Sequence, residues 1–317
     1  MRPGEGGGFG EGGIVLVFST SDKGGTGRSV TSCNLAYRLS LSGRTVAYVD
    51  FDFGSPTAGA LFEISAVERG VAKGGVHAYL LGQHGTVARV DVVAETDRVA
   101  LRRGPRLSRL MLLPGDQGGA EFLSRDDKIV DRCVQLLLEL EQEFKVVIVD
   151  LSAGRSAALE IALHATAMAP LRGRTARWLV FHRWTRQHIL AASGLVHGKH
   201  GLLEMGAAYG HDAAELLESI RYVRTAVADA TARRTGQRPA QAAWLDEQDK
   251  ALRQLANSNE LGATFVLGGS PLEPVLQWRE QIILDADVNA NIANEETALA
   301  YAELARRLVD PATWRRL

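Results

Sequence analysis

The sequence predicts a doubly wound α/β fold, a mostly parallel sheet flanked by helices, on three observations. Short β-branched runs recur along most of the chain, segments of helical length and period separate them, and the runs are continuously apolar. Continuous rather than alternating apolar character suits strands covered on both faces. At 317 residues the chain is long enough for one large core. No linker-like composition divides it. It reads as a flexible glycine-rich tail over residues 1–13 and a single domain over residues 14–317, with a helical insertion around residues 225–260.

In chain order, Ile14–Ser19 is the first strand, and a glycine turn leads from it into a helix over Ser29–Leu41. Thr45–Asp50 is the second strand. Residues 66–109, rich in glycine and arginine, are expected to hold a helix or two and a surface excursion. Leu110–Leu113 is a strand, Asp127–Gln142 a helix, and Lys145–Asp150 and Ala176–Phe181 are strands. Ile220–Arg224 and Ala263–Leu267 complete the set. Between these last two lies a long helical stretch broken by Gly236 and Pro239, which reads as an inserted helical hairpin.

Composition excludes several classes. A formal net charge of −1 gives no global reason to expect nucleic acid or an anionic membrane. Two cysteines, Cys33 and Cys133, make neither a disulfide framework nor a zinc site, and a reducing cytoplasm suits them. No apolar run approaches the ~20 residues of a membrane helix, and the N-terminus has no apolar core of signal-peptide length. Six lysines stand against thirty arginines, so a lysine kept inside a glycine loop is informative.

That lysine is Lys23, in "STSDKGGTGRSVTSCN". Gly24, Gly25, Thr26 and Gly27 form a tight turn whose backbone N–H groups can converge on one point, and the helix that follows adds its positive end. Ser29 stands where a hydroxyl would ligate Mg²⁺, with Val30 just beyond it. Strand, loop, basic residue, hydroxyl and helix in that order specify a phosphate-binding loop far better than glycines alone. Asp50 and Asp52 in "VDFDFGSPT" and Asp150 in "KVVIVDLSAGRS" end apolar strands. As isolated residues they are ordinary solvated carboxylates. Together with Ser29 they suit an octahedral Mg²⁺ that takes its remaining oxygens from phosphate and water.

The loop resembles the deviant Walker A motif, KGGxGK[ST], of the MinD/ParA family of P-loop ATPases. The resemblance runs from about Ile14 to Val309 and is specific at the loop and at the two acidic motifs. It implies ATP and Mg²⁺ as cofactors, and a sandwich dimer in which Lys23 reaches the partner's nucleotide. Lys23 and Asp52 would be catalytic, with Asp52 positioning water. Lys23 through Val30 would hold nucleotide, Ser29, Asp50 and Asp150 would serve the metal, and Pro271, in "VLGGSPLEP", would lie beside the base. ATP rather than GTP rests on this resemblance alone, because "SIRYVRTAVADA" lacks the asparagine that often reads adenine in the family.

One position departs from the pattern. Arg28 stands where the P-loop lysine belongs, as in an arginine-bearing variant of the loop found in actinobacteria, a source that the arginine-rich composition fits. Arginine keeps the charge but brings a planar fork and more bulk. Hydrolysis depends on placing the γ-phosphate and water closely, so binding is expected to survive the change better than turnover.

From Ile161 to Leu203 there is no acidic residue, and Arg172, Arg174, Arg177, Arg183, Arg186 and Lys199 are interleaved with Trp178, Phe181 and Trp184. Segment 172–199 is one candidate surface for DNA or an acidic protein; Arg221, Arg224, Arg233, Arg234 and Arg238 are a second. The opposing reading is a solvated face around a buried strand with the aromatics in the core. The final "TWRRL" is too short to bury much apolar face in a membrane.

The sequence therefore supports a cytoplasmic nucleotide-driven switch that hydrolyses ATP to ADP and phosphate slowly or not at all. The alternative is a non-catalytic scaffold or regulator that keeps the loop. A relative that transfers phosphate to a small molecule stays open as a third, although no acceptor site is apparent.

Overall fold

The computed structural model describes residues 13–119, 122, 126–227 and 238–315. Eight strands form one sheet: β1 (Val15–Thr20), β2 (Val46–Phe51), β3 (Val90–Asp91), β4 (Leu110–Leu113), β5 (Val146–Leu151), β6 (Ala176–Arg183), β7 (Ile220–Val227) and β8 (Val266–Pro271). Their order is β3-β4-β2-β5-β1-β6-β7-β8. Every neighbouring pair is parallel except β3 with β4. The doubly wound, mostly parallel sheet is thus observed.

Among the described residues, seven helices have eight or more residues: α1 (Arg28–Leu41), α2 (Asp127–Glu143), α3 (Ala157–Ala167), α4 (Arg186–His197), α5 (Leu202–Tyr209), α6 (Pro239–Ser258) and α7 (Glu295–Val309). Local chemistry starts several of them. The Asp126 side chain accepts from the Lys128 amide at 3.1 Å, Ser156 accepts from Leu159, and Pro239 occupies the first turn of α6, where its missing N–H costs nothing.

The sheet separates two apolar layers. Val17, Tyr48 and Ile148 pack with Tyr37 and Leu39 of α1 and Tyr301 and Leu304 of α7. Phe18, Val49 and Val149 face the other way, onto Leu137 of α2, Leu163 of α3 and Ile189 of α4. Neighbours along each strand thus enter opposite cores, and β1, β2, β4 and β5 are buried at every residue. This is the physical origin of their unbroken apolar runs.

Several expectations change. The segment expected to be helical from residue 225 begins as strand, because β7 continues to Val227, and residues 228–237 lie outside the described set. Among the described residues of the expected hairpin, one helix, α6, follows, and it packs against α4. Residues 263–265 form a 3₁₀ turn, so the last strand starts later, at Val266. Residues 66–109 hold the end of a 3₁₀ turn, three short α-helical segments and the two-residue β3, which closes the β4 edge antiparallel. Residues 1–12 of the glycine-rich tail and 316–317 of the terminal motif are also outside the described residues.

The candidate basic surfaces are largely absorbed by the fold. Arg172 donates to the Ala167 carbonyl at 3.0 Å, and Arg174 lies 3.6 Å from Glu141. Arg177 and Arg221 are buried, with guanidinium carbons 4.8 and 4.9 Å from the Trp314 ring centroid, so neither belongs to a docking surface. Arg224 lies 4.0 Å from the Trp184 ring centroid. Trp178 and Phe181 are core residues, Trp178 stacking on Phe18 at 4.5 Å. Arg186, Lys199 and Arg238 are exposed, and Arg233 and Arg234 lie outside the described residues.

Candidate functional site

β1 and β5 are neighbours, and their C-terminal ends, with that of β2, converge below the glycine loop. Register does much of the assembly. Asp50 of β2 and Asp150 of β5 are direct partners, and Asp150 is also opposite Ser19 of β1. Gly25 and Gly27 have φ of +70° and +75°, a left-handed backbone that favours glycine. Gly27 caps α1 with this geometry, so the loop turns directly into the helix N-terminus. Gly24 and Gly25 are exposed and Thr26 is buried. Thr225 of β7 holds the loop from the side, its hydroxyl donating to the Thr26 carbonyl.

The sequence-identified residues fall into two groups. Gly25, Thr26, Gly27, Val30 and Pro271 line a cavity of about 300 Å³ between the loop and the end of β8. Polar groups converge there from distant parts of the chain: Thr31, Arg183, Ser270 and Glu273. Trp278 stands at its mouth, 92% exposed. Glu273 is buried and accepts from the Asn294 amide at 3.0 Å and from the Thr297 hydroxyl at 2.7 Å, which ties the post-β8 loop to the start of α7. The buried Tyr301 lines the same cavity as Thr31 and Ser270. Thr31, Glu273, Trp278 and Tyr301 do not read as functional in the sequence, because tertiary contacts bring them in, and Arg183, expected on a partner surface, lines the cavity instead.

The second group surrounds Arg28. Its Nε donates to Asp150 Oδ1 at 2.7 Å, and its Nη2 donates to Asp52 Oδ2 at 2.9 Å and to Ser29 Oγ at 3.1 Å. The side chain does not line the cavity; it turns into the acidic strand ends, 6% exposed. Burial alone would lower the guanidinium pKa, but Asp150 and Asp52 more than reverse this, leaving it above the ordinary arginine range. The remaining oxygen of Asp150 accepts from the Tyr48 hydroxyl at 2.9 Å. Asp50 accepts from the Asp52 and Ala58 amides at 3.2 and 3.1 Å, and burial, then the Asp150 charge, push its pKa up to about 8.

This arrangement does not fit a bound Mg²⁺. The ion requires near-octahedral oxygens at ~2.0–2.1 Å. The Asp52 oxygen and both Asp150 oxygens named above, and the Ser29 hydroxyl, are already bonded to Arg28 or Tyr48. Among the described residues, no group of three or more His, Cys, Asp or Glu is arranged to hold a metal.

Lys23 belongs to neither group. It is half-buried at the front of the loop, where its charge helps lower the His188 pKa after the larger effects of burial and Arg183. Among the described residues, no ion pair holds its ammonium. Its neighbour Asp22 is held by Arg155 at 2.9 Å, and the Gly154 amide donates to the Ser21 carbonyl at 2.7 Å. The segment after β5 is thereby fastened to the loop.

Comparison with known proteins places this geometry in a family. The family model described as the CobQ/CobB/MinD/ParA nucleotide binding domain matches residues 17–237. A septum site-determining protein MinD from Synechocystis sp. is 28% identical over 141 residues, covering 44% of this chain and 45% of that protein. The alignment thus spans less than half of that relative. Among solved structures, the MinC:MinD cell division protein complex from Aquifex aeolicus aligns with a TM-score of 0.57 at 18% identity, over 93% of this chain and 95% of that one. A cobyrinic acid a,c-diamide synthase from Mycobacterium smegmatis, solved with ADP and magnesium, aligns at 0.55 and 17% identity over 93% and 94%. At such identities these two structures speak for the fold. No described helix is long and apolar enough to cross a membrane. The family match takes in the loop, both acidic motifs and more than half of the chain, and by it the protein belongs to the CobQ/CobB/MinD/ParA nucleotide-binding family.

Proposed function

We propose that the protein is a nucleotide-binding switch of the MinD/ParA kind in which ATP hydrolysis is slow or absent. The loop amides, the N-terminus of α1 and Lys23 would receive the phosphates, and the cavity bordered by Val30 and Pro271 would take the nucleoside. The observation that carries the low turnover is the clamp on Arg28: the carboxylate expected to position water, Asp52, is held by a neighbouring cation at 2.9 Å. Phosphoryl transfer to water is mainly positioning and electrostatics, so a carboxylate turned onto the wrong cation is costly in rate. A nucleotide-bound sandwich dimer with Lys23 acting across it, and a partner protein or DNA reading that dimer, complete the reading.

Calorimetric titration with ATP, paired with phosphate-release assays, tests it. Expected are binding near one site per chain and turnover that rises by about 10- to 100-fold in Arg28→Lys while affinity changes little. No detectable heat at millimolar ATP would sink the reading. The same clamp also favours a non-catalytic scaffold. Binding without phosphate release in either protein would select that alternative.

A further inference from the structure

Two carboxylates and a hydroxyl directed at one point form a cation site, and this chain fills it with a side chain. Arg28 is held at 2.7 Å by Asp150, at 2.9 Å by Asp52 and at 3.1 Å by Ser29 Oγ. A divalent ion entering here would have to break both ion pairs. The guanidinium, 6% exposed, would then be left without a counter-charge beside a second cation. Tyr48 and the amides of Asp52 and Ala58 occupy the neighbouring carboxylate oxygens, so the cost is not recovered by rearranging them.

We propose that the Arg28 guanidinium takes the place of the divalent cation, so that this loop binds metal-free nucleotide and gains no affinity from Mg²⁺. The inference rests on the nucleotide-binding reading and specifies which form of the ligand is taken. Because two carboxylates already balance Arg28, neutralisation of the phosphates falls to the loop amides, the α1 N-terminus and Lys23.

The test is titration of the intact protein with ATP in EDTA and in millimolar MgCl₂, alongside Arg28→Lys. Wild-type affinities should agree within about threefold, while Arg28→Lys should bind at least about tenfold more tightly with Mg²⁺ than without. A tenfold Mg²⁺ dependence in the wild type, or none in Arg28→Lys, overturns the proposal. Absence of ATP binding in both buffers would instead sink the nucleotide reading. The cation replacement is then decided by Mn²⁺ electron paramagnetic resonance on nucleotide-free protein. Uptake by Arg28→Ala but not by the wild type upholds it; equal uptake, or none in either, overturns it. Arg28→Lys serves in this measurement if Arg28→Ala does not fold.

Discussion

A buried arginine is tolerable when its charge is matched, and Arg28 is matched by Asp150 and Asp52. Removing it strands Asp150, itself 2% exposed, beside a second buried carboxylate. Arg28→Ala should therefore cost about 3–5 kcal/mol in urea unfolding. Adding Asp150→Asn should recover part of that loss, since the stranded charge goes with it. A double variant no more stable than the single one would show that Asp150 is not the partner that matters. The sequence makes Arg28 conspicuous but places it over the phosphates. Its partners lie 24 and 122 residues away, and only the Asp50–Asp150 register brings them to it. The glycines at 25 and 27 were legible, because local backbone demands alone explain them. Tyr48 was not, because its hydroxyl meets Asp150 across two strands whose apolar character hides a polar tip.

At the scale of elements, apolar runs located seven strands because both sheet faces are covered. The eighth, β3, escaped because two half-buried residues carry no periodicity. His182 shows how a polar residue can sit unnoticed in such a run. It is fully buried in β6, its Nδ1 meets the Arg183 carbonyl at 3.1 Å, and its Nε2 has no partner among the described residues. Burial drives its pKa down to about 4, with Arg224 and His188 adding to the effect and the Arg183 carbonyl opposing it. The unfolded chain then binds the proton more readily than the folded one. The stability from neutral His182 is full above the unfolded value of 6.5 and is lost as pH falls toward about 4. Within that window the slope should approach about 1.4 kcal/mol per pH unit. Chemical unfolding across it, repeated on His182→Gln, should show the slope diminished in the variant. An unchanged slope would assign the acid sensitivity to other groups.

For the whole molecule, the basic stretches illustrate how a sequence asymmetry can be internal bookkeeping of the fold. Arg177 and Arg221 begin neighbouring strands and both meet Trp314, fastening the chain's last described turn beneath the sheet. Charge runs read as surface until tertiary packing assigns them. Lys23 has the opposite character, since among the described residues no ion pair ties its ammonium to its own chain. If it acts between subunits as well as on the phosphates, Lys23→Ala should reduce nucleotide-induced dimerisation by about tenfold or more in sedimentation at saturating ATP. Dimerisation of the variant at wild-type concentrations would remove Lys23 from the interface. The post-β8 loop has one further consequence. Of the chain's five tryptophans, Trp178 is 1% and Trp184 8% exposed, whereas Trp244 of α6 is 57% exposed and Trp278, at the rim of the cavity, 92%. Its indole therefore emits from water, at long wavelength and within reach of iodide. With Trp244 replaced by phenylalanine, the protein would carry one strongly accessible indole at the mouth of the cavity, and its quenching would report a ligand entering there without any label.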